Sequence, residues 1–251
     1  MASYNPLEGA RAEMVIDLCE KTDELVSIII VHRNRGAFLN MCLQSISAMS
    51  INNNYEIIVV DNASTDKDAI DYVDGLKDSD IKVLHNDRNL WWAAAANQGV
   101  KAANKKSKYL IFMHADVIIL TPVWIDLLIN VSEAKEAGLV GVETGIYELN
   151  KQRVDYVREW LMLTTKECWA DCGPFMAEEL PQVGAPFMYT YKAARMNFKP
   201  NLLNAITVAH HYHSYSVDIS DLEKFNETAP PIIAKLILDI QQKNVLSKSV
   251  V

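Results

Sequence analysis

Apolar runs and stretches of helical period alternate along the first 150 residues. "LVSIIIVH", residues 25–32, is β-branched and almost unbroken in its apolar character, as a strand buried on both faces requires. "GAFLNMCLQSISAM" follows, with Phe38, Leu39, Cys42, Leu43 and Ile46 at helical spacing. "YEIIVVDN" (55–62) predicts a second buried strand, and Ser64-Thr65-Asp66 offers capping oxygens for a helix running through Leu76. "IKVLHN" (81–86) is a third strand, "WWAAAANQGVKAANK" a helix and "KYLIFMHAD" a fourth strand. Pro122 opens a further helix that closes near Gly138, and "LVGVETGIY" (139–147) reads as a fifth strand.

This alternation, with short connections, predicts an α/β fold: a mostly parallel central sheet flanked by helices. The order dissolves after about residue 150. From there to residue 198, aromatics, glycines and prolines mix, which predicts loops and helices over the ligand-binding edge of the sheet. "AITVAHHYHSYS" (205–216) reads as a late strand ending in polar residues, and "PPIIAKLILDIQQKN" (230–244) as an amphipathic helix. With no repeats or linkers, residues 1–251 read as a single domain, more regular over 25–145 than over 146–251.

Charge narrows the partners. A formal net charge of −8 leaves no basic excess for neutralising phosphates, so nucleic acid is excluded as a partner. The N-terminal residues lack an apolar core, and no run reaches the roughly 18 apolar residues of a membrane span. The expectation is a cytoplasmic protein without a transmembrane segment. Cys19, Cys42, Cys168 and Cys172 read as free thiols of a reducing compartment, since a lone CxxxC is a weak zinc signal.

Candidate chemistry gathers at the strand ends. These deliver His32-Arg33-Asn34-Arg35, Asp61-Asn62, Asn86-Asp87-Arg88-Asn89 and His114-Ala115-Asp116, and in a parallel sheet they share one rim. A charge inside a sheet costs several kcal/mol, so "YLIFMHADVII" should leave the sheet at His114. No GxGxxG, GxxxxGK[ST] or GxSxG is present, so neither a dinucleotide fingerprint, a P-loop nor a nucleophile elbow organises the rim. What remains is a nucleotide-like site where a divalent metal on Asp116 could hold a diphosphate.

Four ordered motifs over about residues 25–145 carry a family resemblance. "VSIIIVHRNRGAFLNMCLQSI" and "EIIVVDNASTD" are similar to the first two strand motifs of the family 2 glycosyltransferases. "NDRNLWWAAAANQGVKAA" resembles their third motif, with Trp91-Trp92 where Gly-Phe is usual, and "YLIFMHADVII" matches the strand that carries their DxD element. The pattern is closest to rhamnosyltransferase-like members.

The resemblance implies a single GT-A-type, Rossmann-like domain, with residues 25–145 binding a UDP- or dTDP-type nucleotide-sugar donor and residues 146–251 the acceptor, a glycan or glycoconjugate. It implies inverting transfer with Mn²⁺ or Mg²⁺ on the diphosphate, held by Asp116 and a late histidine. Of His210, His211 and His213, alternation along a strand puts His211 and His213 on one face, and these two are taken as the ligands. Asp61 is expected to accept from an imide N–H of the base. His32, Arg33, Arg35, Asn62, Arg88, Asn89, Trp91, Asn97, His114 and Ala115 complete the donor site. One of Trp91 and Trp92 should be core and the other a platform for base or sugar.

The family's usual catalytic acid, an Asp in an "ED" element, has no counterpart in "FMYTYKAARMNFKPNLLNAIT". Asp171, Glu178 and Glu179, just upstream, are the candidates for the general base. Two rival functions stand beside transfer: a sugar nucleotidyltransferase, for which "HRNRGAF" lacks the Gly-rich basic loop, and a glycan-binding module that has lost its base.

Overall fold

In the computed structural model the described residues are 19–50, 53–149, 152–210, 228–229, 231–233 and 235–236. The core is a seven-stranded sheet, ordered β10 (Asn201–Leu202), β6 (Leu139–Gly141), β9 (Leu161–Thr165), β4 (Tyr109–His114), β1 (Val26–His32), β2 (Tyr55–Asp61) and β3 (Lys82–His85), with strands numbered in chain order. Strands β1 (Val26–His32), β2 (Tyr55–Asp61), β3 (Lys82–His85) and β4 (Tyr109–His114) pair in parallel, as the apolar runs predict. Helices α1 (Gly36–Met49), α2 (Lys67–Gly75), α3 (Trp91–Ala102) and α4 (Trp124–Ala134) connect or flank them.

Alternation along β1 builds two cores. Ile28 and Ile30 pack with Leu39, Cys42 and Ile46 of α1 and with Trp124 of α4. Ile29 faces the other way, towards Trp92, Ala93 and Ala96 of α3. Helix α3 sits close to the sheet because position 99 is glycine: a Cβ there would lie 2.4 Å from Ile29 Cγ2.

The second half is more regular than its composition suggests. "LVGVETGIY" is two strands: β6 (Leu139–Gly141) in the central sheet and β7 (Thr144–Leu149), which forms a hairpin with β8 (Gln152–Val157). The expected loop region then supplies β9 (Leu161–Thr165), inserted antiparallel between β4 and β6. Helices α5 (Lys166–Cys172) and α6 (Ala185–Arg195) cover the α3 face, and β10 (Asn201–Leu202) adds the edge.

As expected, the chain leaves the sheet after His114. Ala115 and Asp116 form a turn, and β5 (Val117–Ile119) pairs antiparallel with β11 (Val208–His210). The described residues of the C-terminal helix are helical, and Ile233 is buried. Among the described residues, no helix is long and apolar enough to cross a membrane.

Candidate active site

The carboxyl ends of β1, β2 and β4 and the first residues of α3 open on a cleft of about 400 Å³. Its backbone is tightly turned. Asn34, Arg35, Ala63 and Trp91 all have left-handed φ values between 56° and 62°. Such non-glycine conformations cost about 1–3 kcal/mol each and persist only where surrounding contacts enforce them.

Hydrogen bonds between the rim loops do this. Asn34 N–H donates to Ser64 Oγ at 2.7 Å, and Asn34 Oδ1 accepts from Thr65 N–H at 2.7 Å and Asp66 N–H at 3.0 Å. The expected self-capping of α2 is thereby corrected. Asp66, at the N-cap, makes no capping side-chain bond, and a residue from the β1 loop holds that turn instead.

Several expected donor-site side chains are spent on the same task. Asn62 Nδ2 donates to Asn89 Oδ1 at 2.8 Å, Leu90 N–H donates to Asn62 Oδ1, and Trp91 N–H donates to Asn89 Oδ1. Both asparagines line the cleft while fastening two loops. Asn97 is placed elsewhere. Its Nδ2 donates to Phe175 O at 2.8 Å and its Oδ1 accepts from Phe175 N–H at 2.9 Å, a clamp between α3 and the segment after α5. Arg88 is exposed and does not line the cleft. Asp61 is buried beneath the rim, its Oδ1 accepting from Ser64 Oγ and its Oδ2 lying 3.6 Å from His85 Nδ1.

His32, Arg33, Arg35, Trp91, His114, Ala115 and Asp116 do line the cleft. His32 is 2% exposed, and its buried Nε2 has no hydrogen-bond partner among the described residues. Burial lowers its pKa to about 4 against the raising pull of Asp61, so the ring stays neutral at physiological pH. Of the tryptophan pair, Trp92 is the core residue, 4.8 Å from the Phe175 ring, and Trp91 is half-buried at the cleft.

Pairing of β5 with β11 sets Val117 opposite His210, which brings His210 beside Asp116. His210 Nε2 lies 3.4 Å from Asp116 Oδ1, and His114 Nδ1 lies 3.9 Å from the same oxygen. One ligand atom from each of His114, Asp116 and His210 falls within 4.8 Å of the others, a spacing that suits one ion. Burial keeps the pKa of His114 below its ordinary value, opposed by Glu159 and Asp116, so a lone pair is available for a metal. An N₂O donor set fits a first-row transition ion better than Mg²⁺. His211 and His213, the histidines taken from alternation, lie outside the described residues.

The base candidates are not brought to this site. Asp171 lies on helix α5 rather than in a loop, and Asp171, Glu178 and Glu179 are all exposed and absent from the cleft lining. Among the described lining residues, the carboxylates are Asp116 and Glu159. Sequence reasoning passed over Arg158, Glu159, Trp160 and Gln182, which also line the cleft. The available signal was the charged pair Arg158-Glu159 between two apolar runs, marking a strand-to-strand turn.

Comparison with known proteins gives the family and the fold. The model of the family described as "Glycosyl transferase family 2" matches residues 27–194. Glycosyltransferase GlyG of Streptococcus pneumoniae serotype 4 is 30% identical over 119 residues, 47% of this chain. The chain spans 38% of the length of that relative. Among solved structures, GalNAc-T7 with UDP, GalNAc and Mn²⁺ superposes with a TM-score of 0.59 at 16% identity, covering 74% of this chain and 43% of that one. Mannosyltransferase PcManGT of Pyrobaculum calidifontis, in complex with GDP-Man and Mn²⁺, gives 0.57 at 16% identity, covering 78% and 61%. At such identity the likeness speaks to the fold.

Proposed function

The chain belongs to glycosyl transferase family 2, and we propose that it moves a sugar from a UDP- or dTDP-type nucleotide-sugar donor to a hydroxyl of a glycan or glycoconjugate. The observation that carries the proposal is the His114, Asp116, His210 cluster at the strand-end cleft, spaced to hold one divalent ion. Two structural neighbours bind a nucleotide or nucleotide sugar together with Mn²⁺, which supports the same ligand pair here.

In this reading His114, Asp116 and His210 hold the ion, and Mn²⁺ is favoured over Mg²⁺ because two of the three donors are imidazoles. When bound, the ion supplies neutralisation of the charge that builds on the departing diphosphate. Arg33, Arg35 and Arg158 add positive charge along the cleft. The half-buried Trp91 offers a ring face to base or sugar. Asp61 reads an imide N–H of the pyrimidine, and transfer proceeds with inversion, as the family resemblance implies. A deoxyhexose donor is the finer reading drawn from the rhamnosyltransferase-like motifs.

A glycan-binding module without transfer is favoured by one observation: Asp171, Glu178 and Glu179 are exposed outside the cleft. A panel of nucleotide sugars, screened by thermal shift and by release of nucleoside diphosphate with Mn²⁺ present, separates the readings. Transfer predicts a Mn²⁺-dependent rise in Tm with one pyrimidine nucleotide sugar, accompanied by diphosphate release. No Tm rise with any donor refutes the transfer reading, and a Tm rise with an oligosaccharide but no diphosphate release from any donor supports the module. ¹H NMR of the product anomer tests inversion.

A further inference from the structure

The strand ends supply one part of the cleft, and the segment leaving β8 supplies another: Tyr156, Arg158 and Glu159 all line it. Tyr156 pairs across the β7–β8 hairpin with Gly145. The glycine is a seat for its ring. A Cβ at position 145 would lie 2.2 Å from Tyr156 Cζ and 2.6 Å from its hydroxyl oxygen, so a larger residue there would displace the ring. Phe187 of α6, 1% exposed, meets the same ring at 82° with centroids 5.8 Å apart. Tyr156 is thus held in place at the cleft while half-buried. Two residues on, Arg158 N–H donates to Glu143 O at 3.1 Å, which anchors the segment. The Arg158 Nε is buried and has no hydrogen-bond partner among the described residues. Glu159 beside it is half-buried.

A fixed aromatic ring with a few planar polar groups beside it is the usual make-up of a small-molecule site, and a buried donor without a partner is costly until a ligand supplies an acceptor. Resting on the transferase reading above, we propose that Tyr156, Arg158 and Glu159 form the acceptor subsite and take a neutral pyranose. The C–H face of the sugar packs on the Tyr156 ring. One hydroxyl oxygen accepts from Arg158 Nε–H, and another hydroxyl donates to the Glu159 carboxylate. The cation and the anion are adjacent in the chain and together carry no net charge, which matches hydroxyls better than a carboxylate or phosphate. Gly145 acts through Tyr156, as the residue that leaves room for the ring.

The test reads sugar binding directly, by saturation-transfer NMR titration with UDP and Mn²⁺ present. The probes are methyl β-D-glucopyranoside, methyl β-D-galactopyranoside, methyl α-L-rhamnopyranoside and the acidic methyl β-D-glucuronoside. The proteins are the parent, Tyr156→Phe, Tyr156→Leu and Gly145→Ala, with circular dichroism to verify folding and calorimetry to follow UDP. The parent should bind at least one neutral glycoside, and Tyr156→Phe, which keeps the ring, should bind it comparably. Tyr156→Leu and Gly145→Ala should bind it about five- to tenfold more weakly, with UDP affinity in all four proteins within about twofold. Glycoside binding that survives in both of these variants, or a parent that binds none of the neutral glycosides, overturns the subsite and leaves the transferase reading standing. A parallel loss of UDP affinity would put Tyr156 in the donor site and also overturns it. Tighter binding of the glucuronoside than of the glucoside overturns the neutral-sugar assignment. The transferase reading fails separately, if the parent releases no diphosphate from any nucleotide sugar, and the acceptor role then falls with it.

Discussion

Asn97 lies within a motif that points to donor binding, yet its side chain is committed to Phe175, and Asn97→Ala separates the two roles. The substitution removes both partners of the Phe175 backbone, whose N–H and C=O meet the Asn97 amide at 2.9 Å and 2.8 Å. Phe175 is 2% exposed and packs its ring against Trp92, Phe112, Trp169 and Tyr189 at centroid distances of 4.8–5.2 Å. Water therefore has poor access to the freed groups. Each buried unsatisfied group costs about 1–3 kcal/mol, so Asn97→Ala should destabilise the protein by about 2–4 kcal/mol after partial relaxation. In a chain of this size that lowers Tm by roughly 4–15 °C. Urea unfolding followed by tryptophan fluorescence gives the stability, and calorimetric titration of UDP with Mn²⁺, at a temperature where the variant is folded, gives the affinity. Unchanged stability with a collapse of UDP affinity would instead make Asn97 a donor contact.

Three further outcomes follow from the placement of other residues. Because the folded-state pKa of His32 is about 4, the unfolded chain binds more protons between pH 4 and 6.5. Stability should therefore fall as pH drops through that window, by about 2–3 kcal/mol between pH 7 and 4.5. Urea unfolding at both pH values should show this extra loss in the parent and not in His32→Asn; identical pH dependence refutes it. Asp171→Asn, Glu178→Gln and Glu179→Gln should each leave donor turnover within about twofold of the parent, since none faces the cleft; a 10²- to 10⁴-fold loss in any would make that residue the base. Asp61→Ala should weaken UDP or dTDP binding by about 1–3 kcal/mol while sparing purine diphosphates, and equal loss for both classes removes its base-reading role.

The first half of the fold was legible because its signals are local. Apolar runs placed β1, β2 and β4 within a residue or two, and helical spacing placed α1 at its observed bounds. The break at His114 was also legible, since the cost of a charge inside a sheet requires the strand to end there. Beyond residue 150 the determinants are long-range. Nothing near Leu161 reveals that β9 will insert antiparallel between β4 and β6, because that order is set by pairing with strands distant in sequence. The histidine reading shows the same limit. Alternation separates faces but not which face meets Asp116, and the register of β11 on β5 puts His210 there. Asn34, Asn62, Asn89 and Asn97 carry motif positions, yet their hydrogen bonds serve loops and packing, which motif spacing alone cannot distinguish from ligand contact.

In the proposed function this cleft binds a pyrimidine nucleotide through a metal held by His114, Asp116 and His210. Calorimetric titration of UDP and of dTDP into the parent, Asp116→Ala and His210→Ala, each with and without Mn²⁺, tests it most directly. Mn²⁺ should tighten binding of at least one nucleotide by tenfold or more in the parent, and either substitution should remove the metal's effect while the protein stays folded. Parent binding that is indifferent to Mn²⁺, or a Mn²⁺ effect that survives both substitutions, would contradict it.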